Sequence, residues 1–119
     1  MRREVCFLIG EGEQVLWADA SDSPTALPDS RARWEAIWSH RDELAEIAHS
    51  HPNGPEQFSQ EDEETMAALA SALGKVPRFS VVTPTGVIVR EDGKDGIRVN
   101  EPWWVHLMRL ASGMKGKEE

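Results

Sequence analysis

The sequence predicts an α/β fold, a single-domain mixed β-sheet flanked by helices, and three observations carry that prediction. Short apolar, β-compatible runs alternate with amphipathic segments of helical period. The 119 residues are 39% hydrophobic, which suits one core and leaves no room for a second. The longest apolar run, Val5–Ile9, falls far short of the ~18 residues that span a bilayer.

Val5–Ile9 reads as a buried strand ended by Gly10. Glu11-Gly12-Glu13 is a turn, and Gln14–Ala18 completes a hairpin. Asp19–Pro28 is rich in Ser, Asp and Pro and reads as a loop. Ser30 can cap a helix whose apolar positions are Ala32, Trp34, Ile37 and Trp38, with both tryptophans expected in the core. Leu44–Ser50 is a candidate strand, although Glu43 and Glu46 also fit a helix continued from Arg41. Pro52–Pro55 must be a loop. Ser59 opens a helix from about Gln60 to Leu73, with Met66, Leu69, Ala70 and Leu73 on one face and Gly74 at its end. Phe79–Thr83 and Val87–Arg90 form a second hairpin, with Ile97–Val99 as an edge strand. Asn100 and Pro102 introduce a last helix with Trp103, Trp104, Leu107, Leu110 and Ala111 as its apolar set. The domain is expected over 1–112, followed by a polar tail, 113–119.

Composition removes several function classes. The formal charge is −8 and the pI near 5.0, so nucleic acid is a poor default partner. No charged, apolar, small-residue leader follows Met1, and the expected location is cytoplasmic, with no membrane partner. The single cysteine, Cys6, cannot form an internal disulfide or a multi-thiolate metal site, and within its apolar run it is expected to be an inert buried thiol.

One constellation carries chemistry. His49-Ser50-His51-Pro52 is followed, six residues on, by Ser59-x-x-Asp62. Two histidines separated by one residue leave the same face of a strand. Asp62 lies in the first turn of the next helix, which the intervening loop can fold back onto the strand end. Two imidazoles and a carboxylate make three ligands for zinc and leave a fourth position open, the arrangement of catalytic zinc. Ser59-x-x-Asp62 is also a good capping box on its own. The five identities together should arise by chance on the order of once in 10⁵ sequences.

These residues resemble the signature of the JAMM, or MPN+, zinc metalloproteases, and the chain is similar to the small prokaryotic JAB domains of that family. Glu4-Val5-Cys6-Phe7-Leu8-Ile9-Gly10 resembles the family's upstream strand, which begins on a glutamate. The resemblance implies a fold with cytidine-deaminase-like layering, zinc held by His49, His51 and Asp62, Glu4 as the acid–base residue and Ser59 as the oxyanion donor; Glu11 and Glu13 are the alternatives for the base, although a solvated acidic turn accounts for both. It implies cleavage of an amide or isopeptide bond at the tail of a ubiquitin-like or sulfur-carrier protein, with Asn53, Gly54 and Phe58 touching substrate. Non-catalytic relatives supply the alternative of a dimerisation or docking module. The zinc deaminases need a pair of thiolates, which one cysteine excludes.

Two departures from the family pattern set further expectations. Phe7 stands where the family has a small residue, which should alter packing beside Glu4. Family members carry a helix before this strand, whereas here Met1-Arg2-Arg3 precede Glu4. Glu4 is therefore expected to fray with the terminus, and a sheet face to lie uncovered and to invite a partner or a homodimer.

Overall fold

Val5–Gly10 is extended and buried along its whole length, as a run apolar at nearly every position requires. It forms β1 in a computed structural model that describes residues 1–114. β1 pairs antiparallel with β2 (Val15–Ala20) on one side and with β3 (Leu44–Ser50) on the other. β3 runs parallel to β4 (Arg78–Val82), which pairs antiparallel with β5 (Val87–Glu91), itself antiparallel to β6 (Lys94–Ile97). The six strands make one mixed sheet in the order β2-β1-β3-β4-β5-β6. Helix α1 (Arg31–Ser39) connects β2 to β3, and α2 (Gln60–Leu73) is the crossover that a parallel β3–β4 pair demands. Helix α3 (Trp103–Ala111) follows β6.

Strand alternation divides the core in two. Cys6, Leu8, Ile47 and Val81 face Ile37 of α1 and Met66 and Leu69 of α2. Val5, Phe7, Ile9 and Ala48 face Trp104, Val105 and Met108 of α3. Phe7 therefore points away from Glu4, and its ring meets Trp104 edge-on at 6.4 Å. The expected disturbance beside Glu4 is overturned, because successive residues of a strand occupy opposite faces.

Glu46 settles the ambiguity of Leu44–Ser50. It lies within β3 at 1% exposure. Ser80 Oγ donates to it at 2.6 Å, Arg98 at 2.7 Å, and Arg78 at 3.4 Å. A buried carboxylate is tolerated in a strand when its neighbours supply this many donors. Glu46→Ala is expected to lower unfolding stability by about 3 kcal/mol, measured by denaturant titration, because it strands two partly buried guanidinium groups.

Several expectations are corrected. The edge strand is Lys94–Ile97 rather than Ile97–Val99, since Asp92 (φ 54°) and Gly93 (φ 76°) form a tight two-residue turn that pairs Glu91 with Lys94. Trp38 is 53% exposed and lies under the Arg41 guanidinium at 4.1 Å. It sits about 100° around α1 from buried Ile37. Ala32 is exposed as well. α3 buries Trp104, Val105, Met108 and Arg109, while Trp103, Leu107 and Leu110 face outward.

The terminus does not fray, and α3 covers the face expected to be bare. Arg3 N–H donates to Ser112 O at 3.0 Å, and Ser112 Oγ donates back to Arg3 O. Glu4 N–H donates to Ser23 O at 2.8 Å, and Ser21 N–H donates to Glu4 O at 2.9 Å. Gly113 and Met114 continue past α3, with Met114 buried in the second core, and the rest of the expected tail, 115–119, lies outside the described residues. Among the described residues no helix is long and apolar enough to cross a membrane.

Candidate metal centre

β3 ends at the two histidines. His51 N–H donates to Val82 O at 2.9 Å, so the parallel ladder with β4 continues past Ser50 and sends His49 and His51 to the α2 face together. Ser50 points to the other face. Its hydroxyl accepts from Val5 N–H at 2.9 Å and pairs with Ser112 Oγ at 2.8 Å. It thereby fixes the start of β1, and with it Glu4, against the histidine strand. Sequence reasoning gave Ser50 no role, because its partners lie 45 and 62 residues away.

Glu4, His49 and His51 each offer a ligand atom within 4.8 Å of the others, and the group could hold a metal ion. The two Nε2 atoms stand 3.2 Å apart. Asp62 Oδ1 is 3.1 Å from His49 Nε2, and Asp62 Oδ2 is 3.3 Å from His51 Nε2. Asp62 reaches them because α2 begins with a full capping box. Ser59 Oγ accepts from Asp62 N–H at 3.0 Å, and Asp62 Oδ2 accepts from Ser59 N–H at 2.8 Å. The cap and the approach to the histidines use the same carboxylate. His51 Nδ1–H donates to Pro55 O at 3.0 Å, which leaves Nε2 directed at the cluster.

The other candidate residues are placed differently. Asn53 is exposed, and its Oδ1 accepts from Arg2 at 2.9 Å. Gly54 supplies the left-handed turn (φ 75°) that returns its N–H to His51 O at 2.9 Å. Phe58 is 8% exposed and packs between His49 and Arg90, a wall rather than a free contact surface. Arg90 also pairs with Glu63 at 2.5 Å, next to Asp62. Two links therefore run from β5 to the cluster, and no local motif announces them.

The charges are strongly coupled to this packing. Burial pushes the Glu4 carboxyl up to about 7, the Asp62 and Glu61 charges push the same way, and His51 opposes them. Burial would raise Asp62, but hydrogen bonds from His49 and His51 prevail and hold it well below the usual carboxylate range. Burial would lower His51, but its bonds to Asp62 and Pro55 raise it. Cys6 is pushed up to about 12 by burial, as befits an inert core thiol.

These shifts set the pH dependence of the chain with metal withheld. A folded Glu4 near 7 against an ordinary 4.5 binds more protons than the unfolded chain, so stability falls as pH rises between those values. Raised His51 contributes fully below 6.5 and loses that contribution as pH rises through its folded value. Asp62, lowered from 3.8, acts in the opposite sense only below this window. The chelated protein should therefore show a Tm that falls from about pH 5 to about pH 8 in calorimetry; a rising Tm would contradict the coupling.

None of the curated proteins matches the chain in sequence. The family described as prokaryotic homologs of the JAB domain matches residues 2–106, which takes in the whole sheet and all four side chains of the cluster. A match over most of the chain, on a mixed sheet that carries buried Glu4 and His51 and half-buried His49 at one end, shows that the chain belongs to the prokaryotic JAB-domain family.

Proposed function

We propose that the chain is a zinc-dependent peptidase or isopeptidase that hydrolyses an amide bond at the C-terminal tail of a ubiquitin-like or sulfur-carrier protein. The observation that carries this reading is the spacing of the donors. Ligand atoms 2.0–2.1 Å from one tetrahedral ion stand roughly 3.3 Å apart. The His49–His51, His49–Asp62 and His51–Asp62 separations are 3.2, 3.1 and 3.3 Å. His49, His51 and Asp62 would hold the ion, and Glu4, buried beside them, would face its open position. Bound zinc would supply a Lewis acid that acidifies water and polarises a carbonyl.

The protein's own groups would do the rest. Glu4, with its carboxyl near 7, is matched to taking a proton from the attacking water and delivering it to the leaving amine. Ser59 Oγ already accepts from Asp62 N–H, so its own proton is free to be donated to the developing oxyanion. The loop from Asn53 to Phe58 borders the cluster, where it would meet the extended tail.

Elemental analysis of the purified protein, with cleavage of a ubiquitin-like fusion before and after chelation, tests the proposal. Stoichiometric zinc and chelator-sensitive cleavage support it. A protein that takes up no divalent metal would end it.

A further inference from the structure

The turn that joins β4 to β5, residues 83–86, is a rigid platform beside the histidine strand. Thr83 N–H donates to Gly86 O at 2.9 Å, and the Thr83 hydroxyl, in a residue 1% exposed, accepts from Gly86 N–H at 3.2 Å. From the α3 side, Arg109 donates to Thr83 O at 2.9 Å. Arg109 is itself 2% exposed and pairs with Glu101 at 2.8 Å. The core therefore fixes this turn independently of the loop that lies over it.

Glu56 reaches the platform from the loop that follows the histidines. Its Oε1 accepts from Thr83 Oγ1 at 3.1 Å and also from the Thr85 hydroxyl, 27 and 29 residues away in the chain. A Cβ on Gly86 would meet the same oxygen at 3.4 Å, so the carboxylate lies against the turn. Glu56 is exposed and water could satisfy it, yet its oxygen is given to two threonines. The peptide that links Pro55 to Glu56 contains the carbonyl that accepts from His51 Nδ1–H at 3.0 Å. Whatever holds Glu56 therefore also holds that carbonyl.

We propose that Glu56 is a positioning residue for the metal centre, a latch whose attachment to Thr83 and Thr85 keeps the Pro55 carbonyl on His51 Nδ1 and so keeps Nε2 turned to the ion. The proposal rests on the reading of the cluster as a zinc site. A partner that fixes the tautomer and tilt of a ligating imidazole raises metal affinity, and its loss typically costs roughly 10–100-fold. The latch works through an oxygen acceptor and not through charge, because both hydroxyls donate to the same atom. Glutamine offers an equivalent oxygen, and alanine offers none.

Zinc competition against a chromophoric chelator, together with NMR of the histidine ring nitrogens in the metal-free protein, tests it. Glu56→Ala should weaken zinc binding roughly tenfold, and its neutral His51 ring should lose the preference for the Nδ1–H tautomer. Glu56→Gln should keep both the zinc affinity and the tautomer of the wild type. Thr85→Val, at an exposed position, should weaken binding in the same direction and add nothing to Glu56→Ala. If Glu56→Ala fails to fold, Thr85→Val decides. Glu56→Ala with wild-type affinity would overturn the proposal. So would Glu56→Gln as weak as Glu56→Ala, since the charge would then be the active property. A wild type that takes up no zinc would end the zinc reading, and the ring tautomer would still decide the latch: a lost Nδ1–H preference in Glu56→Ala supports it, and an unchanged one overturns it.

Discussion

Glu4→Gln should leave zinc bound and slow cleavage of a ubiquitin-like fusion by about 10²–10⁴-fold, the usual contribution of a positioned acid–base group. Glutamine keeps the volume of the side chain but cannot shuttle a proton. The expectation is sharp because Glu4 admits two roles in the cluster. Its carboxylate is near enough to His49 and His51 to be a ligand, and it is also buried and raised to about 7 as a base would be. Metal content measured on the same preparation separates them. Retained zinc with lost turnover identifies the base, zinc lost along with turnover identifies a ligand, and full turnover removes Glu4 from the chemistry.

His51→Ala should reduce bound zinc from about one ion per chain to a small residue, and activity with it. Three protein ligands and one open position form a minimal catalytic set, and two ligands rarely retain the ion. His51 is 6% exposed and holds the Pro55 carbonyl, so the substitution should also cost about 1–3 kcal/mol of metal-free stability. Comparing the two proteins in chelator isolates that cost. A His51→Ala protein that binds zinc as the wild type does would contradict the proposed ligand set.

Much of this arrangement was legible in the sequence, for physical reasons that can be named. The one-residue gap between His49 and His51 fixes a shared face whenever the segment is a strand. Ser59 and Asp62 form a capping box by their spacing alone, and the cap aims the carboxylate. What the sequence concealed depends on long-range contacts. The anchorage of Glu4 comes from Ser23 and from Ser112, neither of which any local pattern connects to it. The strand character of Leu44–Ser50 rests on Arg98 and Ser80 reaching Glu46. Adjacent Trp103 and Trp104 cannot both face inward, but Leu107 and Leu110 look like core residues, and only the sheet contacts reveal that Trp104, Val105 and Met108 are the buried set. The Asp92-Gly93 turn is a local signal, and it starts the edge strand three residues earlier than expected, at Lys94 rather than Ile97.

The backbone bond between Arg3 and Ser112 makes the described polypeptide almost a closed loop. A circular permutant that joins Met114 to Met1 by a short flexible linker and opens the chain at Asp92-Gly93 should therefore fold. In such a rearranged gene the linker would hold the Arg3 end of β1 against α3 covalently, where one backbone hydrogen bond now clasps it.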